Sequence, residues 1–147
     1  MDLRLGPLTV HQGEHAVMAI INRTPDSFYD RGSTYAFDAA LDRVAQVVDE
    51  GAAIVDVGGV KAGPGDVVDV DTELRRVVPF VEAVAQQHPN VVVSVDTWRA
   101  DVAREVVPAG AGLLNDTWSG ADPDLASVAA ESGVGLVCSH AGALAPR

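Results

Sequence analysis

Five short apolar runs, rich in valine, isoleucine and leucine, are separated by longer amphipathic stretches. The runs cover residues 16–21, 53–57, 91–95, 112–115 and 135–139. Runs that lack a polar–apolar alternation are typical of strands buried on both faces, as in a parallel sheet. Parallel strands must be joined by crossover connections, usually helices, so this pattern restricts the fold more than any other feature of the chain.

The stretches between the runs have the spacing of helices with one apolar face. In residues 37–48 and 74–85, apolar side chains recur at intervals of three and four positions. A third helix is predicted over residues 99–109. A fourth is predicted to begin at Pro123, with Asp122 as its N-cap. Strands that alternate with helices predict an α/β fold built from right-handed βα units.

The length, charge and cysteine content argue against several classes of protein. A chain of 147 residues, of which 48% are hydrophobic, is enough for one packed domain. The net charge of −11 argues against a surface that binds nucleic acid, because phosphate backbones favour clustered Lys and Arg. No apolar run approaches the roughly 20 residues that span a bilayer, and the first residues lack the pattern of a signal peptide. The single cysteine, Cys138, cannot form an internal disulfide, which fits a cytoplasmic protein.

Polar residues collect where each predicted strand ends. The runs lead into the sequences NRTPDSFYDRG, GGVKAGPG, DTWR, NDTWSG and SHAG. In barrels and open α/β sheets, active sites form beyond the carboxyl ends of parallel strands. The sequence therefore predicts one functional site at that edge of the sheet.

Each of these segments also has a purely structural explanation when it is considered alone. The Asp96–Thr97 pair could cap the next helix, and the Asn115–Asp116 pair could form a turn. An isolated histidine such as His140 is more often a partly buried structural residue than a ligand. The segment GGVKAGPG has the spacing of neither a P-loop nor a dinucleotide-binding loop. Its Lys61 is the only lysine of the chain, and either a compositional preference for arginine or a specific function explains it.

Taken in order, the motifs are more specific. The segments INRTPDSFYDRG, EGAAIVDVGG with its later PG, ELRRVVPFVEAV, VSVDTWRADVAREVVPAGAGLLND and LVCSHAG together resemble dihydropteroate synthase, a pterin-binding enzyme family of folate synthesis. The resemblance runs from about Val17 to Gly142. It implies a (βα)8 TIM-barrel fold, in which residues 1–147 form the N-terminal part of a single barrel domain and cover roughly the first five βα units.

The resemblance also implies a reaction. Members of the family condense 6-hydroxymethyl-7,8-dihydropterin pyrophosphate with p-aminobenzoate, and 7,8-dihydropteroate and pyrophosphate form. Mg²⁺ is the implied cofactor, and the implied partners are these small molecules, with no nucleic acid and no membrane. The family further implies a homodimer when the protein is full length.

Four residues at or near the strand ends are implied in binding the substrates. Asp96 matches the family's pterin-binding aspartate, whose carboxylate can accept two hydrogen bonds from the ring edge. Asn115 matches a neighbouring asparagine, which can donate and accept. Asp56 matches an aspartate on the strand beneath the second loop, and Ser139 lies where the family often has a methionine under the pterin.

Three residues are implied in catalysis: Asn22, Asp26 and Lys61. Asn22 matches the asparagine that contacts pyrophosphate or its metal ion. Thr24 and Asp26 belong to the TPDSF tract, which matches a mobile first loop that helps to shape the p-aminobenzoate subsite and keeps water out. Lys61 lies two positions before the place of the family's pyrophosphate-binding arginine, and we expect it to replace part of that contact.

The second loop departs from the family pattern G-G-E-S-T-R-P-G. Ala62 replaces a threonine that contacts p-aminobenzoate, and Gly63 replaces the arginine. Loss of one charge-assisted contact costs on the order of 1.5–3 kcal/mol, or roughly ten- to a hundred-fold in affinity. A catalytically impaired paralogue that binds pterin or a partner enzyme is therefore an alternative to an active synthase. A methyltetrahydrofolate-binding methyltransferase domain is another, because it shares the Asp and Asn at strand ends.

Overall fold

The computed structural model describes residues 2–22, 33–60 and 67–140. Two short strands, β1 (Leu3–Leu5) and β2 (Leu8–Val10), form an antiparallel hairpin. Five parallel strands follow as one sheet: β3 (Met18–Asn22), β4 (Ile54–Gly58), β5 (Val92–Asp96), β6 (Ala111–Asp116) and β7 (Gly135–Cys138). Four helices connect them: α1 (Ser33–Asp49), α2 (Val70–Gln87), α3 (Ala100–Ala109) and α4 (Asp124–Ser132).

The five predicted strands are confirmed, and so is the alternation with helices. The largest difference in bounds is at the first run, which is predicted over 16–21 and observed at Met18–Asn22. The strands lie side by side in chain order, from β3 to β7. A doubly wound sheet would reverse its order at a switch point. The described strands show no such reversal, so the arrangement is that of part of a (βα)8 barrel.

The main hydrophobic core lies between the sheet and its helices. One face of the sheet contributes alternate strand residues, among them Val55, Val57, Val93, Val95 and Leu114. The predicted apolar stripes of the helices pack against this face. For example, the ring of Phe37 on α1 meets the ring of Phe80 on α2 edge to face, with centroids 5.5 Å apart. Among the described residues, no helix is long and apolar enough to cross a membrane.

The N-terminal hairpin packs against the face of the sheet opposite the main core, at the amino-terminal ends of the strands. We call the apolar cluster formed there by Leu5, Ile54, Val92 and Leu113 the floor. Leu5 of β1 is 5% exposed and packs with Ile54, Val92 and Leu113 from three successive strands of the sheet. Its Cδ2 atom lies 2.5 Å from the position that a Cβ on Gly135 would take, so a side chain at Gly135 would displace the end of Leu5. The sequence pattern does not predict this hairpin, because its three-residue strands are too short to show a period.

The start of α4 differs from the prediction by one residue. The helix begins at Asp124, and Pro123 occupies the N-cap position without a capping side chain. Asp122 still accepts a hydrogen bond from the Asp124 amide through Oδ1, at 3.1 Å. Its other oxygen accepts from the amide of Ala100, at 2.8 Å. Asp122 therefore caps the first turn of α3 as well, a contact between neighbouring helices that the sequence does not predict.

Replacement of Leu5 by alanine is expected to lower the free energy of unfolding by about 2–5 kcal/mol, because it opens a cavity in the floor that the hairpin builds. Urea denaturation of the full-length protein measures the change. Leu3→Ala is the matched control on the same strand: Leu3 is 56% exposed, so its loss should change stability by no more than about 0.5 kcal/mol. Equal effects at both positions would contradict the role of the hairpin as a floor.

Candidate functional site

One row of residues crosses the carboxyl edge of the sheet. In the parallel register, Asn22 of β3 pairs with Gly58 of β4, Gly58 with Asp96 of β5, and Asp96 with Asn115 of β6. Side chains alternate between the two faces of a strand, so this row lies on the face opposite the main core. The structure thus brings together three of the residues that the sequence singles out, Asn22, Asp96 and Asn115.

Asp56 lies one layer below this row and orients Asn115. Its side chain is 4% exposed. Ser94 Oγ donates to its Oδ1 at 2.5 Å, and Asn115 Nδ2 donates to its two oxygens at 3.3 and 3.2 Å. Because the carboxylate only accepts, the Asn115 amide must turn its NH₂ group towards Asp56. The amide oxygen of Asn115 is then left for another partner.

Asp96 is held from its other side by Thr117. Thr117 Oγ1 donates to Asp96 Oδ1 at 3.0 Å, which leaves Oδ2 for a further donor. Burial raises the pKa of Asp96 from the ordinary 3.8 to about 6; the bond from Thr117 lowers it, and the neighbouring carboxylates of Asp56, Glu73 and Asp116 raise it further. A ligand that donates hydrogen bonds to this carboxylate would stabilise its ionised form.

Gly58 lies between Asn22 and Asp96, and its missing side chain leaves a space in which a Cβ would make ordinary contacts with both. A Cβ placed on Gly58 would lie 3.7 Å from Asn22 Oδ1 and 3.8 Å from Asp96 Oδ2. Both oxygens therefore border the same space, and Asn22 itself is exposed. Since a carboxylate and an amide oxygen are both acceptors, the space favours donors or a hard cation.

Of the two structural explanations, the turn at the Asn115–Asp116 pair is confirmed for Asp116. The Asp96–Thr97 pair does not cap α3, whose N-cap position is occupied by Arg99. Thr97 Oγ1 accepts from the amide of Arg99 at 3.3 Å, two residues along the segment that leads into α3. Asp116 accepts from the amides of Trp118 and Gly120, at 2.8 and 2.5 Å, and so shapes the turn after β6. At the ends of β5 and β6, Thr97 and Asp116 thus make hydrogen bonds within the connecting segments, whereas their neighbours Asp96 and Asn115 lie in the row of the candidate site.

Ser139 and His140 follow β7 at the same edge. The amide of Ser139 donates to the carbonyl of Asp116 at 2.9 Å, and its own carbonyl accepts from Ser119 Oγ at 2.8 Å. These backbone contacts fix the position of Ser139 beside β6. His140 is exposed. The contribution of Ser139 to ligand binding stays a prediction.

Three of the predicted site residues, Thr24, Asp26 and Lys61, lie outside the described residues. Two further residues, Ser94 and Thr117, hold site residues by hydrogen bonds but are not predicted from the sequence. The period of two along a strand could have indicated them, because Ser94 lies two residues before Asp96 and Thr117 lies two residues after Asn115. Among the described residues, no group of three or more His, Cys, Asp and Glu side chains could hold a metal ion.

Relatives of the chain in sequence are about twice its length. The protein named inactive dihydropteroate synthase 2 from Mycobacterium leprae is 59% identical over 131 residues, which are 89% of this chain and 45% of that protein. The dihydropteroate synthase of Bacillus subtilis is 45% identical over 126 residues, which are 84% of this chain and 44% of that protein. The chain therefore spans about half the length of these relatives.

A solved enzyme supports the same match. Dihydropteroate synthase from Xanthomonas albilineans, determined with 4-aminobenzoic acid, is 34% identical and superposes with a TM-score of 0.86 over 98% of this chain and 54% of that chain. In complex with 7,8-dihydropteroate, it superposes with a TM-score of 0.81 over 95% of this chain and 51% of that chain. Residues 18–146 match the model of the pterin binding enzyme family. With most of its length matched in this way, the chain belongs to the pterin binding enzyme family.

Proposed function

We propose that Asp96 and Asn115 bind the ring of a dihydropterin at the carboxyl edge of the sheet. The observation that carries this proposal is their arrangement: they are neighbours in register, Asp56 orients the amide, and Thr117 orients the carboxylate. A pterin has neighbouring donor and acceptor atoms along one edge, which a carboxylate beside an amide complements. The Xanthomonas albilineans relative in complex with 7,8-dihydropteroate supports this class of ligand.

For the full-length protein we propose the reaction of a dihydropteroate synthase. A C–N bond forms between the amine of p-aminobenzoate and the methylene carbon of the pterin, the C–O bond to pyrophosphate breaks, and the amine loses a proton. Asn22 is proposed to contact the pyrophosphate, and Asp26 and Lys61 are proposed to act in catalysis. Thr24 is proposed to contact p-aminobenzoate, and Ser139 to lie under the pterin.

Mg²⁺ is the proposed cofactor, with Asn22 as its protein ligand. Asn22 is exposed, and its Oδ1 is a hard oxygen donor, which suits this ion. Mg²⁺ commonly combines few protein ligands with water and substrate phosphates. When bound, it neutralises part of the charge of the pyrophosphate.

A second candidate function is pterin binding without turnover. Ala62 and Gly63 stand where the family has a threonine and an arginine, so two substrate contacts are missing. The chain is 59% identical to the Mycobacterium leprae protein, which is named inactive, and 45% identical to the Bacillus subtilis protein, which is named a synthase without that qualifier. This difference also favours the second candidate. All of these relatives are named as synthases, which supports a synthase-type ligand over the methyltransferase alternative.

The wider setting is proposed from the family. We propose that residues 1–147 form the N-terminal part of a single barrel domain, and that the full-length protein is a homodimer in the cytoplasm. The single cysteine, Cys138, supports a reducing compartment. The proposed partners are small molecules, and neither nucleic acid nor membrane is among them.

Asp96→Asn is expected to weaken binding of 7,8-dihydropteroate roughly ten- to a hundred-fold at pH 8, because an amide in place of the carboxylate loses charge-assisted hydrogen bonds. Isothermal titration calorimetry on the full-length protein measures the dissociation constant. Asp71→Asn, at an exposed carboxylate in the first turn of α2, is the control and should bind like the wild type. Equal dissociation constants for all three proteins would rule out Asp96 as a pterin ligand.

Binding is also expected to depend on pH. The pKa of Asp96 is raised to about 6 in the free protein, and the ligand needs the ionised form. Affinity should therefore be constant above this pH and fall by about tenfold for each pH unit below it. The same titration with Asp96→Asn corrects for ionisation of the ligand. If the affinity of the wild type changed with pH in the same way as that of Asp96→Asn, the result would contradict the assignment of Asp96 as a pterin ligand.

The second loop is expected to limit turnover. With both substrates and Mg²⁺, the full-length protein should release pyrophosphate slowly, and Gly63→Arg should raise the rate roughly ten- to a hundred-fold by restoring one charged contact. A coupled assay for pyrophosphate measures the rate. Val67→Arg adds the same charge at a position that is 81% exposed and should change nothing. Pterin binding without any release, in the wild type and in Gly63→Arg, would establish the second candidate instead.

A further inference from the structure

Asp56 is a buried carboxylate whose hydrogen bonds come from one side. It is 4% exposed, and its neighbours in register are Ile20 on β3 and Ser94 on β5. The side chain of Ile20 has no donor. Ser94 Oγ donates to Asp56 Oδ1 at 2.5 Å, and Asn115 Nδ2 on β6 donates to both carboxylate oxygens, at 3.3 and 3.2 Å. Asp56 therefore acts on the side of the sheet that carries Asn115.

The carboxylate of Asp56 decides which end of the Asn115 amide is directed at the site. A side-chain amide has a donor end and an acceptor end of nearly the same shape, so packing alone selects neither. An ionised carboxylate only accepts, and it therefore holds the NH₂ end. The amide oxygen is directed away from Asp56, in the row where Asn115 and Asp96 are neighbours in register.

The edge of a pterin ring matches only one orientation of this amide. In a pterin, the amino group at C2 donates and the neighbouring N1 accepts. In the 2-oxo counterpart, a lumazine, the oxygen at C2 accepts and N1 carries a hydrogen, so the order of donor and acceptor is reversed. An amide oxygen that meets the group at C2 therefore binds an amino group and repels an oxygen. A site built around such a hydrogen bond rejects the analogue that cannot make it.

A carboxylate at this depth is a costly way to stabilise a fold. Its burial must be offset by hydrogen bonds, and a neutral side chain of the same shape would avoid most of that cost. An asparagine at position 56 could still bond to Ser94 and Asn115, but it could offer Asn115 either a donor or an acceptor. The feature that only the carboxylate supplies is a single orientation of the Asn115 amide.

We propose that Asp56 determines the specificity of the site: it holds the NH₂ end of Asn115 and so selects a ring with an amino group at C2 against a ring with an oxygen there. The inference rests on the proposed function for the placement of the ring at Asp96 and Asn115. Asp56 is a positioning residue, because it acts through Asn115 and does not touch the ligand.

The first test compares the binding of two rings, 6-hydroxymethyl-7,8-dihydropterin and 6-hydroxymethyl-7,8-dihydrolumazine. Isothermal titration calorimetry on the full-length protein at pH 7 measures both dissociation constants. The wild type should bind the dihydropterin roughly a hundredfold more tightly. Asp56→Asn should narrow this ratio roughly tenfold, because the Asn115 amide can then turn its NH₂ group towards the oxygen of the lumazine.

Ser94→Ala is the matched control in the same layer. It removes one donor to Asp56 but keeps the carboxylate, and with it the orientation of Asn115. Its unfolding temperature should fall, because a buried hydrogen bond is lost, while the ratio of the two affinities should stay at the wild-type value. A purely structural role of Asp56 would likewise lower the stability of Asp56→Asn and leave the ratio unchanged.

The second test needs no ligand. The side-chain NH₂ group of Asn115 should exchange with water slowly in the wild type and in Ser94→Ala, where it bonds to Asp56. Exchange should be roughly tenfold faster in Asp56→Asn, where that bond is made only part of the time. NMR spectroscopy of the full-length protein with isotope-labelled asparagine measures the rates, and loss of the signal in Asn115→Ala assigns it.

The outcomes separate the two proposals. An unchanged affinity ratio in Asp56→Asn overturns the inference, and so does a ratio that falls equally in Ser94→Ala. Equal exchange of the Asn115 NH₂ group in the wild type and in Asp56→Asn overturns it as well. A wild type that binds neither ring refutes the proposed function, and faster exchange in Asp56→Asn alone would still support the orientation of Asn115 by Asp56.

Discussion

The site depends on the parallel register of the five strands. Side chains on a strand alternate between two faces, so a shift by one residue would exchange the carboxylates of the interior with the valines that face the helices. Val55 and Val57 are fully buried in the main core, and each contributes about 1.5–3 kcal/mol when it leaves water. Their burial holds the register. The register in turn places Asn22, Asp96 and Asn115 in one row.

The interior face is built in layers, and each layer supports the next. The floor is apolar, and the hairpin closes it with Leu5. Above it lies Asp56, a buried carboxylate that would be costly without hydrogen bonds and that receives them from Ser94 and Asn115. The upper layer is the row that borders the candidate ligand. Because Asp56 orients Asn115 from below, the amide is fixed before a ligand arrives, which reduces the entropy lost on binding.

In the proposed function, recognition of the pterin ring and turnover depend on different parts of this chain. Asp96 and Asn115, the proposed ring-binding residues, are held by half-buried Thr117 and by buried Asp56. The second loop keeps the glycines and proline of the family but lacks its threonine and arginine, because Ala62 and Gly63 stand there. A neutral ring needs directed hydrogen bonds, whereas a pyrophosphate needs positive charge. Under the proposed function, loss of the second requirement leaves the first intact.

The sequence by itself determined the elements and the edge that carries the site. Strands buried on both faces appear in the sequence as continuous apolar runs, and amphipathic helices appear as apolar residues at intervals of three and four. Polar motifs mark the strand ends. All three patterns are local, so they can be recognised within one segment. The tertiary structure alone decided which side chains meet: Ser94 reaches Asp56 across 38 positions, and Asn115 reaches it across 59. It also decided the second capping contact of Asp122 and the buried ion pair between Arg99, which precedes α3, and Glu73 on α2. These contacts follow from register and from helix packing, which join distant parts of the chain and leave no periodic trace within any one segment.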